Sequence, residues 1–338
     1  MRPFSYEAPT DLATAVARAS VSANAHVTSP IQYKGGGTTL IDLMKLDVMR
    51  PEVLVDITGL RDEAMHRIDR SAGQLRIGSL VSMATLHEDQ STVRDYPLLT
   101  ESLWQGASQQ LRNMARLGGN LLQRTRCSYF RDPTFEQCNK RLPGSGCAAL
   151  DGANRGHAIL GTSEHCIALY AGDWAPALVA LDARVEILGR SGLRTLDFAK
   201  LHRLPGTTPH IETNLVPGEL ITAIIVPGGP RRRSLYRKIR DRQSYQFANA
   251  SAAVALELDG DIVRDVRIGL GGVATIPWRA RKAEQALVGK RLNEASATAA
   301  AELEFKDART RKHNLYKVPL GKATMVRSLL EAQAMKVA

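Results

Sequence analysis

Apolar and polar positions change period repeatedly along the N-terminal half, which predicts short strands and helices in alternation. Phe4 to Tyr6 reads as a short strand, and Leu12, Ala13, Val16 and Ala19 then recur at helical spacing. That pattern predicts a helix through Ala19 with Thr10 as its cap. After a polar connection, Ile31-Gln32-Tyr33 alternates as a strand does and runs into Gly35-Gly36-Gly37-Thr38-Thr39. Leu40 to Lys45 has helical character, and Val53 to Ile57 is an apolar strand bounded by Pro51 and Gly59. Leu75 to Gly78 reads as a further strand and Met83 to His87 as the opening of a helix. Tyr96 to Arg116 reads as one helix-like stretch that ends at a second glycine turn, Leu117 to Gln123.

Regular structure resumes at Trp174 to Leu181 and Val185 to Leu188, after an irregular segment rich in Arg, Pro and Gly. The Pro-Gly-Gly-Pro and three arginines between Pro227 and Arg233 mark a domain boundary. Beyond it, Ala248 to Leu258 and Val263 to Leu270 are β-rich, and Ala280 to Val288 and Glu294 to Glu304 are helical. Apolar Ala and Leu positions closer to the C-terminus read as core. The pattern predicts a mixed α/β chain, and 338 residues at about 100–200 per domain give two or three domains.

Composition narrows the class. With 44% hydrophobic and 23% charged residues the chain is globular, not disordered. Its longest charge-free run, Ala19 to Tyr33, is 15 residues and polar, short of the about 20 apolar residues a membrane helix needs. Glu7 and Asp11 interrupt any apolar signal region. A net charge of +11 fits either a solvated basic surface or an acidic partner, nucleic acid or anionic cofactor.

Two features carry candidate chemistry. Gly35 to Thr39, between a strand and a helix, can converge backbone N–H groups and threonine hydroxyls on a phosphate. It is neither a dinucleotide fingerprint nor a Walker loop. Gly118-Gly119-Asn120 repeats the theme, and two such turns suit an extended ligand such as a dinucleotide. The second feature is that all four cysteines, Cys127, Cys138, Cys147 and Cys166, fall in one window, separated by ten, eight and eighteen residues. Structural zinc sites build on closer pairs, whereas loose spacing suits an iron–sulfur cluster wrapped by an irregular loop. Zinc and two disulfides remain open alternatives. Arg124, Arg126, Arg131, Lys140 and Arg141 would stabilise an anionic cluster, and Gly144 and Gly146 offer N–H groups to its sulfurs. His157 and His165 could replace one ligand but read more simply as bystanders, and no Ser/His/Asp arrangement stands out.

Several segments together resemble one family. They are Lys34 to Lys45, Leu117 to Gln123, Leu215 to Ile221, Tyr236 to Arg242, and Gly271-Gly272-Val273 through Arg279. In this order they are similar to the FAD-binding medium subunit of molybdenum hydroxylases, the xanthine dehydrogenase and aldehyde oxidoreductase family. The Gln123 to Cys127 and Cys138 to Cys147 segments resemble those of bacterial periplasmic aldehyde oxidoreductase flavoproteins, whose insertion holds an extra [4Fe-4S] cluster. The resemblance implies an α+β fold: two α/β subdomains forming a PCMH-type FAD-binding domain over 1–228, with a cluster-binding insertion at about 124–168. A C-terminal domain like that of carbon monoxide dehydrogenase flavoprotein would follow over 229–338.

By the same resemblance, FAD contacts fall on Tyr33, Lys34, Gly35, Gly36, Gly37, Thr38, Thr39, Leu40, Ile41, Gly118, Asn120, Asp173, Leu220, Ile221 and Lys238. Cys127, Cys138, Cys147 and Cys166 would be the cluster ligands, and no residue is catalytic. Asp173 alone reads as a cap for the helix at Trp174. Arg116-Leu117 and Gly35 depart from the family pattern. Implied partners are a large subunit with the molybdenum cofactor and a small [2Fe-2S] subunit, in a heterotrimer exported to the periplasm with a signal-bearing partner, or else cytoplasmic. The competing function is a nucleic-acid-binding module with a four-cysteine zinc site, which lacks a basic helix and aromatic platforms.

Overall fold

The computed structural model describes residues 1–21, 29–71 and 73–336. Most of the polar connection between Ala19 and Ile31, residues 22–28, lies outside them. Three sheets organise the chain. Strands β1 (Ser5–Glu7), β2 (Ile31–Lys34) and β3 (Val53–Asp56) form a parallel sheet in the order β1-β3-β2. Helices Leu12–Ala19 and Leu40–Lys45 make its connections.

An antiparallel sheet follows, built from β4 (Ile68–Ser71), β5 (Gln74–Gly78), β6 (Arg184–Gly189), β7 (Gly192–Asp197) and β8 (Leu220–Val226) in the order β4-β5-β8-β6-β7. Every residue of β8 is buried, as befits the central strand of a covered sheet. The third sheet, order β12-β11-β10-β9, is antiparallel and comprises β9 (Ser234–Ile239), β10 (Ala250–Asp259), β11 (Ile262–Gly271) and β12 (Trp278–Arg279). Helices Arg281–Leu287, Glu294–Phe305 and Lys317–Ala334 share its apolar core.

The largest core joins the second sheet to helices Met83–Glu88, Pro97–Trp104 and Trp174–Ala180, and extends to Tyr236, Ala253 and Ala255 of the third. A smaller cluster of Leu43, Met44, Leu54, Phe130 and Cys138 fastens the cysteine segment to the first sheet. Among the described residues, no helix is long and apolar enough to cross a membrane.

Local chemistry corrects the sequence reading in four places. Asp11, not Thr10, caps the first helix, accepting from the Thr14 N–H at 2.8 Å. The stretch from Tyr96 to Arg116 is two helices, Pro97–Trp104 and Gln109–Met114. Ala107 breaks them at φ 52°, Ser108 caps the second, and Arg112 donates to the carbonyls of Trp104 and Gly106. Leu117–Leu121 is a short helix and not a turn. Asp173 makes no side-chain capping bond to helix Trp174–Ala180. Strands β4, β7, β8 and β9 and the long C-terminal helix are additions.

Ile224 is fully buried at the centre of β8. Ile224→Ala should lower stability by about 2–5 kcal/mol, read as a clearly reduced thermal midpoint; an unchanged midpoint would contradict the placement of β8 in the core.

Candidate functional site

The loop after β2 packs unusually close to a second wall. A Cβ on Gly36 would lie 1.9 Å from the Met114 carbonyl oxygen, and Gly37 adopts φ +75°. Gly118 is equally constrained, since a Cβ there would meet Ser79 Cβ at 2.7 Å. Backbone bonds from Leu117 N–H to Val81 O (3.0 Å) and Gly118 N–H to Ser79 O (2.8 Å) fix this wall. Between the walls lies a cavity of about 490 Å³, well within the range of cofactor pockets.

Twelve of the fifteen sequence-predicted cofactor residues line it: Tyr33, Gly35, Gly36, Gly37, Thr38, Thr39, Leu40, Gly118, Asn120, Asp173, Leu220 and Ile221. Three do not. Lys34 pairs with Asp56 at 2.8 Å, Ile41 packs on the small apolar cluster, and Lys238 lies behind Asp173. The side chain of Lys238 is wholly buried, donating to Asp173 Oδ2 at 2.8 Å and to the Gln105 carbonyl at 2.9 Å. Tyr236 Oη donates to the other carboxylate oxygen at 2.7 Å. Burial pushes the Asp173 carboxyl up, and Lys238 opposes that shift.

The sequence reading missed other lining groups. Arg116, Arg124, Arg126, Trp174 and Glu212 contribute, as does the segment Tyr245-Gln246-Phe247 from beyond β9. Arg126 sits 4.9 Å over the Phe247 ring. The glycine-rich turns and the family resemblance pointed to this cavity, whereas arginines in a cysteine-rich segment gave no separate cue. Six of the twelve buried side-chain N or O atoms without a partner among the described residues belong to lining residues: Ser79, Arg116, Asn120, Arg124, Arg126 and Trp174. A buried polar group left unpaired costs about 1–3 kcal/mol. Such a concentration, around glycines that clear space for backbone N–H groups, fits a large polar anionic cofactor. The Gly35 departure is sterically neutral, because a Cβ there would meet Arg116 at an ordinary 3.5 Å.

The four cysteines are free thiols gathered beside this cavity. Cys138 and Cys147 pair across a β-bridge, and the Cys147 and Cys166 thiols hydrogen-bond to each other. Backbone N–H groups of Tyr129 and Phe130 face Cys127; those of Ala149, Leu150 and Ile167 face Cys147; that of Ala168 faces Cys166. Burial drives the Cys127 thiol up to about 12, whereas the hydrogen bond from Cys166 favours the thiolate at Cys147 and lowers it. Among the described residues, no three His, Cys, Asp or Glu side chains converge as ligands of a single metal ion.

The surrounding cations are already engaged. Arg124 and Lys140 flank the buried Glu212 at 2.8 and 3.1 Å and hold its carboxyl well below the usual range. Arg126 and Arg131 both pair with Asp42, and Arg141 donates to backbone carbonyls of Tyr129, Phe130 and Asp132. The Gly146 N–H donates to Asn139 Oδ1 rather than to a sulfur.

Residues 2–229 match the family described as the FAD binding domain in molybdopterin dehydrogenase. The chain belongs to the FAD-binding medium subunits of the molybdenum hydroxylases. Residues 234–332 match the CO dehydrogenase flavoprotein C-terminal domain. The aldehyde oxidoreductase FAD-binding subunit PaoB of Escherichia coli (strain K12) is 45% identical over 304 residues, 90% of this chain and 92% of that one. The glyceraldehyde dehydrogenase medium chain of Sulfolobus acidocaldarius is 26% identical, covering 77% of this chain and 74% of its own. In fold, the chain matches reconstituted CO dehydrogenase from Oligotropha carboxidovorans with a TM-score of 0.76, at 24% identity over 99% of this chain and all of that one. Quinoline 2-oxidoreductase from Pseudomonas putida 86 gives 0.73 at 24% identity over 98% of both. The nucleic-acid-binding alternative finds no support in the fold, the cavity or these relatives.

Two predictions test the cavity. Gly36→Ala should destabilise the whole protein, because the new methyl collides with backbone. Gly119 also lines the cavity but has no atom within 4 Å of a Cβ position, so Gly119→Leu should fold normally and lose FAD. A folded Gly119→Leu protein with stoichiometric FAD would disprove the assignment. Asp173→Asn and Lys238→Met should be non-additive in FAD affinity, with a coupling of about 0.5–3 kcal/mol, since Lys238 acts through Asp173. Strict additivity in titration calorimetry would show that the two act separately.

Proposed function

We propose that this chain carries FAD and one [4Fe-4S] cluster as the electron-transfer subunit of a molybdenum-dependent aldehyde oxidoreductase. In this reading it assembles with a molybdenum-cofactor-binding large subunit and a [2Fe-2S] small subunit, and passes electrons from that complex to an external acceptor. The observation that carries the reading is the glycine-walled cavity, in a chain 45% identical to an aldehyde oxidoreductase FAD-binding subunit.

Bound FAD supplies exchange between two-electron and one-electron chemistry. The chain's own part is to bind and orient it. Backbone N–H groups of Gly35 to Gly37 and the hydroxyls of Thr38 and Thr39 suit the pyrophosphate. Asn120 and Asp173 offer polar contacts to flavin or ribityl groups. Leu220, Ile221, Trp174 and Phe247 exclude water from the apolar part. No acid–base residue is required for this task.

For the cluster, support comes from four free thiols in one neighbourhood and from N–H groups directed at three of the sulfurs. Hydrogen bonds to sulfur stabilise thiolates and tune iron–sulfur potentials. The likeness of the cysteine segment to periplasmic flavoproteins supports export with a signal-bearing partner, which fractionation of tagged protein would test.

The purified complex should contain one FAD and about four iron atoms for this chain, and Cys138→Ser should lose the iron. FAD content serves as the folding control for that variant. The isolated chain should bind FAD yet reduce no dye with aldehyde until both partners are added. One zinc per chain without iron would remove the cluster from the proposal. Aldehyde turnover by the lone, molybdenum-free chain would overturn the electron-transfer role.

A further inference from the structure

His157 is buried within the cysteine segment, and its Nε2 lies 3.1 Å from Cys127 Sγ. The other ring nitrogen, Nδ1, is buried and has no partner among the described residues, so the sulfur is the imidazole's polar contact there. A buried ring of this kind places its N–H where an acceptor waits, which puts a proton on Nε2 facing Cys127. The alternative, a ring that merely fills space, leaves both nitrogens unsatisfied in the interior.

The ring is also held from several sides. Its backbone N–H donates to Asn154 O at 3.0 Å. Asn154 is wholly buried, and its side chain bonds the carbonyls of Ala149 and Leu150 and accepts from the His313 N–H at 3.0 Å. Asn314 of the C-terminal domain donates to the neighbouring Ala158 carbonyl at 3.2 Å. The imidazole position is therefore fixed by the domain that follows the insertion as well as by the insertion itself.

We propose that His157 is a positioning residue that donates a hydrogen bond to the Cys127 sulfur and thereby sets the reduction potential of the cluster. This rests on the [4Fe-4S] reading above. The physical sense is fixed. A reduced cluster carries one more negative charge, so a donor on its thiolate stabilises the reduced form more than the oxidised form and raises the potential. Removing the donor makes reduction harder.

The test uses the assembled complex, with iron content and FAD measured first. His157→Phe keeps an aromatic ring and loses the N–H; His157→Gln keeps an N–H near the Nε2 position. Dithionite titration followed by electron paramagnetic resonance should show His157→Phe reduced about tenfold less readily at a given potential, a shift of about 59 mV toward negative values for one electron. His157→Gln should stay near wild type, and the FAD potential should not move. If His157→Phe cannot be isolated with iron, pulsed resonance on wild-type complex labelled with ¹⁵N-histidine decides. The reduced cluster should then show weak coupling to one imidazole nitrogen. An iron-loaded His157→Phe with the wild-type potential, or a labelled complex without nitrogen coupling, overturns the role of His157. Absence of an iron–sulfur cluster from wild-type complex would instead refute the reading on which it rests.

Discussion

The contact of Gly36 with the Met114 carbonyl is the constraint on which the cavity depends. At that point the loop leaving the parallel sheet meets the end of helix Gln109–Met114 with no room for a side chain. The second wall is then drawn in by Met83 N–H on Ala115 O, Leu117 N–H on Val81 O and Gly118 N–H on Ser79 O. Two layers of backbone come together at this point, and side chains from several segments complete the cavity beside it. Only glycine allows such an approach, so Gly36 and Gly118 serve the assembly of the walls before they serve any ligand. Gly119, with open space at its Cβ position, is left as the glycine whose small size the fold does not demand.

Charge follows a similar logic. The cations around the cysteines suggest a field aimed at a cluster, yet most are spent on holding the segment in place. Glu212 is enclosed between Arg124 and Lys140, and the half-exposed Asp42 pairs with Arg126 and Arg131. The first group ties the segment to the turn before β8, and the second ties it to helix Leu40–Lys45, beside the glycine loop. Removing Arg124 would leave the Glu212 carboxylate uncompensated at a cost of about 3–5 kcal/mol, whereas the more exposed pairs of Asp42 are screened by water and contribute less. The flavin cavity and the cysteine segment are thereby built as one unit, with Arg124 and Arg126 shared between them. What remains to act on the sulfurs is mostly backbone N–H, a weaker but better directed influence than a nearby guanidinium.

Much of this was legible in the chain. Apolar runs such as Val53 to Ile57 and periodic ones such as Leu12 to Ala19 fall on observed elements, because burial of one face decides them locally. The glycine loop was visible as a candidate anion site, although the composition alone suits a bare turn equally well and the second glycine turn and the family resemblance decided between them. What escaped depends on partners distant in sequence. Strand β8 has no alternation to announce it, being covered on both faces by segments far along the chain. The break at Ala107 follows from Arg112 folding back on two carbonyls, which periodicity does not encode. Lys238 was expected at the cofactor; its side chain lies off the cavity lining and holds the carboxylate of Asp173, which does line it. The family pattern marks both positions alike, and only the geometry separates them.

The C-terminal domain is more than an appendage to the flavin domain. Strand β9 supplies Tyr236 and Lys238 to the buried carboxylate of Asp173, and the segment after it lends Tyr245, Gln246 and Phe247 to the cavity. Glu101 accepts from the Tyr236 N–H at 2.7 Å and Gln105 donates to the Tyr236 carbonyl at 2.9 Å, which locks β9 against helix Pro97–Trp104. The same domain fixes the turn carrying His157 through His313 and Asn314. Lys317, a fully buried cation whose ammonium donates to the carbonyls of Asn249 and Gly272, lies in that same region; burial lowers it to about 8. A buried lysine held by two carbonyls and the face of the Tyr316 ring is a costly residue to keep in a domain whose sole task is to pack. The C-terminal domain thus places charge and hydrogen bonds on both the cavity wall and the cysteine segment, through Lys238 and Tyr236 on one and His313 and Asn314 on the other.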